Sequence, residues 1–120
     1  MQLEYKSKNL PYLLIKIKGE LDMYNSFDFK KKVLELVDDN EKPVIIDLKE
    51  LEYIDSSGIS VILKVYTKLQ KRNQSVYLVH LKEAITRLIE LTSLNDLLPI
   101  VDSVKDAVML IKEKLANKKA

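Results

Sequence analysis

Cysteine is absent from this chain, which removes disulfides and thiolate metal sites at the outset. Histidine occurs once, as His80, so any metal centre would have to be built from carboxylates. Those carboxylates fall at no spacing that marks a metal site, and neither a metal nor a cofactor is expected. Glycine occurs twice, at Gly19 and Gly58, too sparsely for a loop that cradles phosphates. No apolar run approaches the ~20 residues that cross a bilayer. Met1-Gln2-Leu3-Glu4-Tyr5-Lys6 lacks the charged-then-apolar order of a secretory signal. The expected compartment is therefore the cytoplasm, with no membrane partner. An excess of one charge is also missing, since 20 Lys and Arg stand against 18 Asp and Glu for a net +2. The single basic cluster is the tail, Lys112, Lys114, Lys118 and Lys119, which reads as a charged helix end suited to the dipole. Nucleic-acid binders show a denser basic face, so no direct nucleic-acid partner is expected.

What is present fits one domain over residues 1–120. At 47% hydrophobic and 32% charged residues, the chain has enough apolar surface for a core without covalent staples. Residues 2–6 predict a short strand, and Asn9 to Pro11 a turn. Leu13, Ile15 and Ile17 alternate against Lys16 and Lys18, the period of a half-buried strand over 12–18. Asn25 stands as an N-cap with Asp28 three residues on. The helix that follows carries Phe29, Val33, Leu36 and Val37 on one face. Val44 to Leu48 is nearly all apolar, as in a central strand covered on both sides. A second amphipathic helix starts near Ile59, with Ile59, Ile62, Leu63, Tyr66 and Leu69 inward. Ser75 to Val79 predicts a strand, 83–92 a short helix, and Leu97 to Val101 a last strand, demoted to an edge by Pro99. Ser103 caps a final helix. The fold class is α/β. About five strands and about four helices in the order β-β-α-β-α-β-α-β-α make a mixed, mostly parallel sheet with right-handed crossovers and helices chiefly on one face.

The stretch with chemical content is Asp55-Ser56-Ser57-Gly58, between the 44–48 strand and the second helix. A serine at a helix start has its hydroxyl where free backbone N–H groups and the dipole favour negative charge. That hydroxyl reads either as a cap or as a phosphate acceptor, and a phosphate would change the local charge by roughly −1.5 to −2. Asp55 can cap the first turn, and Ser57 is a further capping hydroxyl. Gly58 clears space for a close approach, by a partner or within the loop. Asp22, in the loop after the second strand, would share a sheet edge with Ser56. Tyr24 can supply an aromatic contact, whereas Tyr53 and Ile54 read as core.

An enzyme reading has ingredients in Ser56, an aspartate and His80, the members of a hydrolase triad. The nucleophile elbow, however, needs glycine two residues before the serine, and Ile54 stands there. No enzymatic activity is expected.

Tyr53-Ile54-Asp55-Ser56-Ser57-Gly58-Ile59, with Asp47-Leu48 before it, Val61-Ile62-Leu63 after it and Gly19-Glu20-Leu21-Asp22 upstream, resembles a bacterial STAS domain of the anti-sigma factor antagonist type. The resemblance spans nearly the whole chain. It implies that Ser56 is the phosphoacceptor and that Asp22, Asp55, Ser56, Ser57 and Gly58 form the partner-binding surface. It further implies that the unphosphorylated protein binds an anti-sigma factor that is itself a serine kinase using ATP, which frees a sigma factor. Phosphorylation of Ser56 would end that binding, and a metal-dependent serine phosphatase would restore it. The chain departs from many relatives at Ser60, where they carry glycine. The serine adds bulk and a second hydroxyl near the partner face. A different role for the same fold is a docking subunit in a lipid-transport or stress-sensing complex.

Overall fold

The computed structural model describes residues 1–119, with side chains through Asn117. The side chains of Lys118 and Lys119, counted in the basic tail, lie outside the described residues, as does Ala120. The sheet is organised by β2 (Leu13–Leu21), whose Leu13, Ile15, Ile17 and Leu21 are fully buried while Leu14, Lys16 and Lys18 are half-buried. On one side β2 takes β1 (Gln2–Lys6) antiparallel, from Gln2 opposite Lys18 to Lys6 opposite Leu14. It pairs in parallel with β3 (Val44–Asp47), which pairs in parallel with β5 (Val76–Val79). The far end of β2 pairs in parallel with β4 (Leu51–Ile54), with a register shift between Gly19 and Glu20. Gly19 has φ +90, a left-handed conformation that glycine adopts without steric cost, and it provides the bulge that re-aims β2 toward β4.

Four α-helices cover this mixed five-stranded sheet: α1 (Ser26–Asn40), α2 (Ser56–Lys71), α3 (Glu83–Glu90) and α4 (Val104–Lys119). Phe29, Val33 and Val37 of α1, Ile59, Ile62, Val65 and Leu69 of α2, and Ile85 and Ile89 of α3 join one core with Leu13, Ile15, Ile17 and Ile46. The opposite face carries a smaller core in which Ala107 and Ile111 of α4 pack on Ile45 and Val79. Burying a side chain of this size removes about 1.5–3 kcal/mol of unfavourable hydration. The expected α/β class, mixed sheet and helix-rich face are observed. At the outer strand, Lys18 meets Glu4 at 3.0 Å and Glu50 at 3.6 Å. The hydrogen bond and charge of Lys18 hold the Glu4 carboxyl below its usual range. Among the described residues, no helix is long and apolar enough to cross a membrane.

Three expectations about the elements need correction. The fifth strand is β4 at 51–54, not residues 97–101, so the order is β-β-α-β-β-α-β-α-α. In β4 the outer residues Leu51 and Ile54 are buried and the two between them exposed, a pattern without the alternation that marks a strand. Asn95–Leu97 forms a 3-10 turn, and beyond it only one bridge joins Leu78 to Ile100. Pro99 has no N–H to extend that ladder, and its carbonyl accepts from Leu78 N at 2.9 Å. The second helix begins at Ser56, one turn earlier than the apolar stripe indicates, because its first turn is capped by a carboxylate rather than marked by core residues.

Candidate functional site

Parallel strands bring their carboxyl ends to one edge of the sheet, and loops that leave that edge are placed together. Here β2 exits into Asp22-Met23-Tyr24-Asn25 and β4 exits into Asp55 and α2. Asp55 is the N-cap of α2, with an extended backbone (φ −107, ψ −175). Its Oδ1 accepts from Gly58 N at 2.9 Å, and its Oδ2 accepts from Met23 N at 3.2 Å. Asp55 N also donates to Leu21 O at 3.3 Å. One carboxylate therefore closes the first turn of α2 and pins the β2–α1 loop against it.

That loop has its own internal bonds. Asp22 Oδ1 accepts from Tyr24 N at 2.9 Å, and Asp22 N donates to Asn25 Oδ1 at 3.0 Å. Asn25 Nδ2 donates to Glu20 O at 2.9 Å. Asn25 occupies the N-cap position of α1, as expected, but its side chain turns back to hold the loop and makes no capping bond to the helix. Replacing Asp55 by alanine is expected to cost about 1–2 kcal/mol, and Asp55→Asn, which keeps one accepting oxygen, about half of that. Thermal unfolding of the two variants measures the difference.

Ser56 is the first residue of α2 and is exposed, while Ser57 is half-buried. The capping bond goes to Asp55, so Ser57 is not the cap that the sequence pattern indicates. Gly58 is buried. A Cβ there would lie 2.4 Å from Leu21 O and 2.7 Å from Ile54 Cγ1. The close approach that demands glycine is thus internal, between α2 and the ends of β2 and β4. Gly58 thereby lets the first turn of α2 sit down against the sheet edge.

Large exposed side chains stand in the same two segments; Tyr24 is the aromatic contact that the sequence suggests, whereas Met23 and Phe27 are not marked by the sequence pattern. Met23, Tyr24 and Phe27 are 65%, 88% and 77% exposed, and Tyr53 is 45% exposed rather than core. Single exposed apolar residues are ordinary, but here four large ones fall in two segments that the Met23–Asp55 bond and the β2–β4 pairing hold together, and Phe27 lines the same cleft as Ser56. Phe27 lies off the Phe29-Val33-Val37 face of α1. Ile54 is buried, as expected. Lys30 and Lys64 stand with Ser56, Ser57 and Ser60 around a cleft between α1 and α2.

The triad ingredients are not assembled. His80 leaves β5 with φ +58 and places Nδ1 3.2 Å from Asp47 Oδ1. The same carboxylate oxygen accepts from Lys49 N at 2.9 Å. Asp47 is buried, and this pairing accounts for both side chains as fasteners of the β3 and β5 exits.

The STAS domain model matches residues 3–107. The chain belongs to the STAS domain family. This STAS domain is similar to the anti-sigma-B factor antagonist of Listeria monocytogenes, at 32% identity over 101 residues that cover 83% of this chain and 88% of the relative. Its fold is shared with the anti-sigma factor antagonist SpoIIAA in the unphosphorylated form, with a TM-score of 0.71 at 16% identity over 90% of this chain and 93% of that one. The phosphorylated form of the same Bacillus cell-fate determinant gives a TM-score of 0.65, also at 16% identity, over 90% of this chain and 96% of that one.

Proposed function

We propose that this STAS domain, residues 1–120, is an anti-sigma factor antagonist whose switch is Ser56. The unphosphorylated form binds an anti-sigma factor that is a serine kinase, and that binding releases a sigma factor. The observation that carries this reading is the exposure of Ser56 at the head of α2, next to the exposed Phe27 and to the β2–α1 loop of Met23 and Tyr24, which Asp55 ties to the same helix end. The name of the Listeria relative supports it. In this reading Asp22 and Ser57 contribute to the partner-facing surface, while Asp55 and Gly58 position it. The role is that of a regulatory binding protein acting in the cytoplasm, not an enzyme.

The kinase brings ATP. The Ser56 Oγ attacks the γ-phosphorus, ADP leaves with the bridging oxygen, and the hydroxyl proton passes to a base on the kinase. A metal-dependent serine phosphatase reverses the state, with water taking the phosphoryl group as inorganic phosphate and the hydroxyl restored. Two features of this chain suit that chemistry. The acceptor is on a rigid helix end, so its oxygen is positioned before docking. The helix N-terminus also accommodates the added charge, so modification need not unfold the domain.

Incubation with the kinase and magnesium ATP is expected to add one phosphate, mapped by mass spectrometry to Ser56. Ser56→Ala is expected to take up none and to remain bound. A phosphate mapped to another residue contradicts the assignment. Because buried aromatic anchors carry a large share of interface energy, Tyr24→Ala is expected to weaken binding to the kinase about tenfold or more. Titration calorimetry on the unphosphorylated protein reads this directly.

A further inference from the structure

The cleft between α1 and α2 has a volume of about 460 Å³. Ser56 lines it together with Ser26, Ser57 and Ser60, and with two cations, Lys30 from α1 and Lys64 from α2. None of its lining residues is acidic. Among the described residues neither lysine takes part in an ion pair. The one carboxylate next to Ser56, Asp55, is already committed to Gly58 N and Met23 N, and it points its two oxygens at those groups. The wall of the cleft therefore offers hydroxyls and ammonium groups with no anion to answer them.

The helix geometry makes this arrangement useful for one ligand in particular. Ser56, Ser60 and Lys64 follow one another at intervals of four along α2, which puts them on one face. Helical side chains lean toward the N-terminus, so the Lys64 stem is directed back over Ser60 toward Ser56. Lys30 stands across the cleft, one turn beyond Ser26. A phosphate attached to Ser56 would enter this space covalently tethered, so its local concentration is fixed by the linkage rather than by free phosphate.

We propose that the α1–α2 cleft is an internal seat for the phosphate carried by Ser56, with Lys30 and Lys64 as its cations and Ser60 as a hydroxyl donor. This inference rests on Ser56 being the phosphoacceptor. It adds a second consequence of modification: the phosphoryl group turns into the cleft and ties α2 to α1, in addition to placing charge on the docking face. The serine at position 60 then has a function that glycine there cannot supply.

The test uses full-length protein carrying phosphoserine at position 56, introduced during translation so that no kinase is needed. Phosphorus NMR follows the second ionisation of the phosphate. Cations close to it favour the dianion, so the wild-type midpoint is expected below that of the Lys30→Gln/Lys64→Gln double variant, by about 0.5 pH unit for pairs near the surface. The helix dipole and Asp55 are the same in both proteins, so the difference isolates the lysines. Lys30→Arg with Lys64 kept is expected to retain the low midpoint. Raising the salt is expected to move the wild type toward the double variant. Identical midpoints for wild type and double variant, with both amide spectra showing a folded domain, overturn the seat. Refusal of Ser56 by the kinase would sink the switch but leave this result standing, so the two failures are distinguishable.

Discussion

Protein phosphorylated at Ser56 is expected to bind the kinase anti-sigma factor at least about a hundredfold more weakly than the unmodified protein, a change of about 2.7 kcal/mol. The phosphate adds a charge of roughly −1.5 to −2. It is carried at the helix end to which the loop bearing the exposed Met23 and Tyr24 is tied, next to the exposed Phe27, and burial of these side chains on docking would supply apolar contact. Docking must then strip water from a dianion, and leaving a charge buried without its partner costs about 3–5 kcal/mol in measured cases. Seating the phosphate on Lys30 and Lys64 lowers that cost without removing it, because the paired charges are also dehydrated. Ser56→Asp carries one negative charge on a shorter side chain and is expected to lose less, about tenfold. An unchanged unfolding midpoint for the phosphorylated protein separates this interface effect from misfolding. Calorimetric titration of the three forms gives the ranking.

Gly58→Ala is expected to destabilise the domain by about 3 kcal/mol. The added methyl would be 2.4 Å from the Leu21 carbonyl oxygen and 2.7 Å from Ile54 Cγ1. The nearer atom belongs to the backbone of β2 and cannot swing aside, so α2 would have to lift off the sheet. That movement would stretch the Asp55 cap and unseat Ser56, and loss of partner binding is expected alongside loss of stability. Gly19→Ala provides the contrast. The nearest atom to its added methyl is Met1 Cα at 3.9 Å, so space is ample and only the left-handed φ of +90 is strained. A smaller cost of about 1–2 kcal/mol is expected there. Urea unfolding of both variants checks the order; a larger loss for Gly19→Ala contradicts the packing argument.

The layout of this domain was legible where periodicity was strong. The alternation in β2 and the stripes Phe29-Val33-Val37 and Ile59-Ile62-Leu69 set strands and helices that the structure reproduces. Four-residue β4 escaped, because a strand that is buried only at its ends carries no period. Residues 97–101 misled in the opposite direction, since an apolar composition is compatible with an extended chain whose pairing stops at one bridge, Leu78 to Ile100, where Pro99 has no N–H to extend it. At the candidate site, the sequence put Asp22 in the loop after β2 and Asp55-Ser56 at a helix start, as the structure has them. The links between those loops were not visible, because the bond from Met23 N to Asp55 spans 32 residues. The same holds for Gly58, whose need for glycine arises from Leu21, far away in the chain. Exposure of Tyr53 could not be read either: in a short strand at a sheet end, either face can be outward.

The claim on which the rest depends is that the head of α2 and the β2–α1 loop together form the surface that meets the anti-sigma factor. Backbone amide NMR of the unphosphorylated domain, titrated with the kinase anti-sigma factor, tests this most directly. The largest changes are expected at residues 22–27 and 53–60, and they are expected to vanish when Ser56 carries phosphate. Changes centred on β1 and α4 instead, or an unaltered map after phosphorylation, would contradict it.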